Sequence, residues 1–90
     1  MTTPDAPATP AVDDEFADAL ISFIADEVAL EDLPVAGDTD LLMTGLVDSL
    51  GVVMIVNWIE ATRGTTVDPA DVVLENFQTI DQMLSYLRTA

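Results

Sequence analysis

The stretch "GLVDSLGVVMIVNWIE", Gly45 to Glu60, decides how the chain reads. An Asp-Ser pair, Asp48 and Ser49, opens a run that is then apolar at nearly every position. A surface helix normally has one oily face and one polar face. With Ser49 at zero and 100° per residue, Val52, Ile55, Val56 and Ile59 cluster on one side at the spacing of a buried face. Asn57 and Glu60 fall on the other side near Ser49, but so do Leu50, Val53, Met54 and Ala61, with Trp58 on the border. One core face does not need so many apolar residues. Neighbouring helices could cover the excess, or it forms an exposed patch of the kind that binds other proteins, with Met54 able to adapt to varied partners.

The flanking sequence bounds this helix. Asp48 is placed as its N-cap and Gly64 as its stop, giving Ser49 to Arg63. Upstream, Phe16, Leu20, Phe23, Ile24 and Val28 recur at three- and four-residue steps, which predicts a first helix from Asp13 or Asp14 to Ala29 or Leu30. Its opening acids suit the positive end of the helix dipole. Residues 31–47, broken by Pro34 and Gly37, read as a long ordered connection anchored by Leu41, Leu42 and Leu46. Downstream, Val67 is expected to pack inward. Asp68 caps and Pro69 begins a short third helix to Leu74. Thr79 opens a fourth helix to Arg88, with Ile80, Met83, Leu84 and Leu87 inward. No alternating strand is visible. The fold class is all-α, a four-helix bundle with a long first connection. Residues 1–12, "MTTPDAPATPAV", read as a disordered tail ahead of one domain over 13–90.

Composition narrows the chemistry. Seventeen acids face two bases, Arg63 and Arg88, for a net charge of -15 in 90 residues. That balance repels nucleic acid and anionic membranes and attracts basic protein surfaces. There is no cysteine and no histidine, which removes disulfides, thiol nucleophiles and the commonest general base. Ser49 has no neighbouring base to make it a nucleophile of its own. It reads instead as a plain first-turn serine or as a residue another enzyme modifies. A phosphate attached there would meet free backbone N–H groups and the positive dipole end. No run reaches a membrane span and no signal peptide is evident, so the cytoplasm is the default location. "DTDLLMTGLVDS" fails as a calcium loop, with Met43 where Gly belongs and Ser49 where Glu belongs.

The arrangement Gly45, Asp48, Ser49, Leu50 at a helix start resembles the modification region of acyl carrier and peptidyl carrier proteins. The resemblance covers about residues 13–88, from the loop "DTDLLMTGL" to the ending "NFQTIDQMLSYL". It implies a carrier-protein type of four-helix bundle and a carrier, not an enzyme. Ser49 would bear 4'-phosphopantetheine, donated from coenzyme A by a magnesium-using phosphopantetheinyl transferase that Asp48 helps to position. An acyl or aminoacyl cargo would ride as a thioester on the arm. Leu50, Val53, Met54, Asn57 and Glu60 match the family's partner-facing surface. The partners implied are a cargo-loading ligase or acyltransferase and downstream synthases or tailoring enzymes, met by a monomer. Carriers of primary fatty-acid synthesis usually stud this helix with acids. Here it has only Glu60, and Gly51 stands where an acid is common, which is closer to discrete carriers of specialised metabolism. Gly51 would be explained by close approach of a partner or the arm, or by a tolerated weak first turn. The small core with many branched residues points to a cargo left outside it. The alternative is an acidic helical adaptor that binds through the same apolar patch and needs no modification.

Overall fold

The computed structural model describes residues 12–89. Among these residues all regular structure is helical: α1 (Asp14–Phe23) running into a π turn (Ile24–Val28), α2 (Ser49–Arg63), a 3-10 turn (Pro69–Asp71), α3 (Leu74–Phe77) and α4 (Ile80–Thr89). The expected all-α bundle is what the chain forms. The expected tail lies outside the described residues, except Val12, which is half-buried and whose carbonyl accepts from Arg88 Nε at 3.2 Å.

Helices α1, α2 and α4 start on side-chain caps. Asp13 Oδ1 accepts from Phe16 N–H at 3.0 Å, capping α1. Asp48 Oδ1 accepts from Gly51 N–H at 2.9 Å, capping α2. Gly64 ends α2 at φ 69, a left-handed position that glycine takes without a Cβ penalty. Thr79 and Gln82 cap α4 reciprocally: Gln82 N–H donates to Thr79 Oγ1 and Thr79 N–H to Gln82 Oε1, each at 3.1 Å.

Helix α1 ends differently from the regular helix its spacing suggests. Ala29 N–H donates to Ile24 O at 2.8 Å, the five-residue bond of a π turn. Phe16, Leu20, Ile24 and Val28 are all buried, each four residues apart. In a regular helix that spacing drifts by about 40° per step. The wider last turn returns Val28 to the core.

The third helix is also corrected. Instead of one helix from Pro69 to Leu74, a single 3-10 turn is followed by a break and then by the short α3. Val73 is extended at φ -130 and ψ 162, a conformation suited to β-branched residues. Segment 67–73 is thus a strap with one 3-10 turn, and Leu74 already belongs to α3. The core collects Phe16, Leu20, Ile24 and Val28 with Ile55 and Ile59 of α2, Phe77, and Ile80, Met83, Leu84 and Leu87 of α4. Because the strap covers α2 incompletely, the buried line of α2 is Gly51, Ile55 and Ile59. Val52 and Val56, expected inside, are only half-buried.

Candidate functional site

Ser49 is the first residue of α2, and its side chain is exposed. The connection before it is held in place from several directions. Leu41, Leu46 and Val47 are buried. Leu41 N–H donates to Gln78 O at 2.8 Å, Val47 N–H to Leu41 O at 2.9 Å and Leu30 N–H to Leu46 O at 2.8 Å. Asp40 is a hub. Its Oδ1 accepts from Met43 N–H and its Oδ2 from Gln78 Nε2, both at 2.9 Å, while its carbonyl accepts from Thr44 Oγ1 at 2.6 Å. Gly45 takes the positive φ of 77 that turns the chain toward Asp48. The Asp40-x-x-Met43 turn has a sequence signature in its aspartate. Gln78, 38 residues away, has none.

Gly51 is explained from inside the protein. A Cβ there would lie 2.8 Å from Val28 Cγ1 and 2.8 Å from Val47 Cγ1. Both valines are buried, so neither has room to yield. The π turn and the loop end pack directly on the start of α2, and the glycine permits this. The expected close approach of a partner or arm at Gly51 is set aside, since the residue is buried.

The N-terminus of α2 can hold an anion. Val52 N–H makes the first intrahelical bond, to Asp48 O at 3.0 Å, and Gly51 N–H is taken by the Asp48 carboxylate. The N–H groups of Ser49 and Leu50 precede that bond and remain open at the positive end of the dipole. Beside Ser49 is an open cleft of about 330 Å³. Ser49, Val52 and Val53 form its α2 side; Val72, Val73, Leu74 and Phe77 face them, with Leu42 at the edge. The strap residues of this wall carry no functional signal in the sequence.

The structure separates the residues read as partner-facing. Leu50 and Val53 are 69% and 53% exposed beside Ser49. Asn57 is exposed and Met54 half-buried against the core. Glu60 is half-buried, and its Oε2 accepts from Val67 N–H at 2.7 Å, so its carboxylate holds the start of the strap. Trp58 is covered: it stacks on Phe23 with centroids 5.3 Å apart and meets Phe16 at 5.5 Å. At the far end of the strap, Tyr86 OH donates to Asp71 Oδ2 at 2.7 Å. Burial and this bond to a carboxylate push the Tyr86 hydroxyl up to about 12.

Ser49 thus sets an exposed hydroxyl at a helix start in a small acidic helical bundle. The phosphopantetheine attachment site family matches residues 18–87, and the chain belongs to that family. No curated protein and no solved structure matches the chain. The family attaches 4'-phosphopantetheine to a serine. The residues present fit that group: open N–H donors for a phosphate, an exposed hydroxyl, and an apolar cleft beside it. No helix among the described residues is long and apolar enough to cross a membrane.

Proposed function

We propose that Ser49 is the attachment serine, and that the chain is a non-catalytic carrier presenting an acyl or aminoacyl cargo to the enzymes of a biosynthetic pathway of specialised metabolism. The observation that carries this is the setting of Ser49. The chain has three serines, Ser22, Ser49 and Ser85. Ser22 lies within α1 and Ser85 within α4, where the turns' backbone donors are consumed by helical bonds. Ser49 alone of the three stands at a helix start, exposed.

Each neighbouring residue has a part in this reading. The open N–H groups of Ser49 and Leu50 hold the phosphodiester. Asp48 fixes the helix start with one carboxylate oxygen, and the other is left to help a phosphopantetheinyl transferase place its magnesium ion. When bound, the arm supplies a terminal thiol that carries the cargo as a thioester. Leu50, Val53 and Asn57, exposed along α2, form the face offered to a cargo-loading ligase or acyltransferase and to later synthases, with the half-buried Met54 and Glu60 at its margin. The charge of -15 attracts basic partner surfaces to the molecule as a whole and speeds encounter, while α2 itself carries only Glu60. The carrier works as a monomer in the cytoplasm.

The test is intact-protein mass spectrometry after incubation with coenzyme A, magnesium and a broad-specificity transferase, with Ser49→Ala alongside. One added phosphopantetheine is expected on the wild type and none on the variant. A folded wild type that gains nothing would sink the assignment. The exposed Leu50 and Val53 would then favour an acidic adaptor, for which Ser49→Ala changes no binding.

A further inference from the structure

Gly51 is the single buried residue in the first turn of α2; Ser49 and Leu50 before it are exposed and Val52 after it is half-buried. It has no side chain to anchor that turn. The anchoring comes from outside: Val28 Cγ1 and Val47 Cγ1 close on the place where a Cβ would stand. The π turn, the end of the loop and the start of α2 meet at this socket, two residues from Ser49.

Val28 reaches the socket through the shape of the π turn. Ala25, Asp26 and Glu27 in its middle are exposed, while Ile24 and Val28 at its ends are buried. The residue that a π turn adds over an α turn therefore gains no core contact in the middle. It acts at the end, on where Val28 lands. Directly afterwards Ala29 is extended at ψ 134, and Leu30 N–H donates to Leu46 O, which ties the exit of the turn to the residue before Val47. Val47 N–H in turn donates to Leu41 O. Both walls of the socket are thus fixed by backbone bonds outside α2. The Asp48 cap is of another kind: it bonds Gly51 N–H within the same turn. It closes the helix start but does not tie it to the rest of the protein. The socket does.

We propose that Val28 is a positioning residue for the modification of Ser49: the π turn sets it, with Val47, into the Gly51 socket, and this contact holds the helix start at one angle to the body of the protein. The Ser49 hydroxyl and the open N–H groups of Ser49 and Leu50 are then presented to the transferase in one geometry. This rests on Ser49 as the attachment serine. In that transfer Ser49 Oγ bonds to the phosphorus next to the pantetheine and the pyrophosphate P–O bond of coenzyme A breaks. Adenosine 3',5'-bisphosphate leaves, and the hydroxyl proton passes to the transferase. Val28 touches none of these atoms; it acts through Gly51.

The absence of cysteine makes the test direct. Ser49→Cys places a single thiol at the helix start, where open N–H groups and the dipole favour the thiolate. Its pH titration, followed by ultraviolet absorbance, reads the geometry of the helix start without any transferase. It is repeated with Val28→Ala or Val47→Ala added, and with Val28→Ala and Gly51→Ala together. Leu20→Ala, a buried position of α1 away from the socket, is the control for a cavity elsewhere. Circular dichroism fixes conditions under which every variant is folded. The thiol should titrate at higher pH in Val28→Ala and in Val47→Ala and stay in place in Leu20→Ala. It should move back when Gly51→Ala fills the space that Val28→Ala opens. In the chain that keeps Ser49, Val28→Ala should lower kcat for modification about tenfold with KM little changed, since a misplaced reacting group loses rate while the docking face is kept. An unmoved thiol in both valine variants overturns the proposal. So does an equal rise in Leu20→Ala, or a double variant no closer to the parent than Val28→Ala alone. The thiol titration needs no transferase, so a failure to load the wild-type chain removes the Ser49 assignment separately and leaves the role of Val28 at the helix start to be decided by the thiol.

Discussion

Trp58 and the pair Leu50 and Val53 look alike on a helical wheel: each is apolar surplus beyond the core face of α2. The structure treats them in opposite ways. Trp58 lies where α1 runs alongside, and Phe16 and Phe23 close over it. Leu50 and Val53 lie where α2 faces only the strap and the loop, and they stay exposed. The same composition thus extends the core at one end of the helix and leaves an exposed apolar surface at the other. What differs is the length and regularity of the neighbour. A full helix buries its partner's margin; a one-turn strap leaves a cleft.

The strongest way to break this comparison is truncation at both ends. Trp58→Ala is expected to cost about 2–3 kcal/mol, somewhat below a fully buried aromatic because the ring is half-buried. Leu50→Ala and Val53→Ala should each stay within about 0.5 kcal/mol, as exposed positions do. Urea unfolding measures all three, and equal losses would erase the distinction. Gly51→Ala probes the inner side of the exposed end. Helix propensity favours alanine by about 0.5–1 kcal/mol, but overpacking against two buried valines costs about 1–3 kcal/mol. A net loss of about 1 kcal/mol is expected from these opposing effects; a gain in thermal midpoint would show that Val28 and Val47 can give way.

Asp48 separates structure from recognition at the same end. Asp48→Ala should lose about 1 kcal/mol with the cap. Asp48→Asn keeps an accepting oxygen and should hold its stability while slowing modification by the transferase. If the Asp48→Asn variant were modified at the wild-type rate, the aspartate would be a cap and nothing more. The smallest effect is at high pH. Tyr86 is the one tyrosine, and lysine and cysteine are absent, so ultraviolet titration of the phenol reads a single group. A folded value raised from 10.0 to about 12 means that the folded state holds its proton longer than the unfolded chain does. Stability is therefore whole below about pH 10 and falls as pH rises toward about 12. A phenol titrating near 10 in the folded protein would contradict the part-buried bond to Asp71.

Much of the bundle was legible because it rests on local signals. Asp13, Asp48 and Gly64 act through backbone donors and acceptors within a few residues, and so their places in the sequence already mark helix ends. The four-residue spacing of Phe16, Leu20, Ile24 and Val28 marked a buried stripe, though not the π turn that keeps it inward. Around Ser49, the residue itself and its cap could be read; the cleft could not. Val72, Val73 and Leu74 look like the tail of a short helix until the extended backbone at Val73 turns them into a wall. Glu60, which reads as a surface acid, spends one oxygen on Val67.

The division has a physical cause. Caps, stops and helical stripes depend on contacts three or four residues apart, so amino-acid order alone was enough to specify them. Asp40 with Gln78, Asp71 with Tyr86, and Gly51 between Val28 and Val47 depend on which segments meet after the chain has folded back. Order along the chain carries no signal for such meetings. It marked Ser49 as the start of a helix, and the packing of α1, the loop and the strap left that start open beside an apolar cleft.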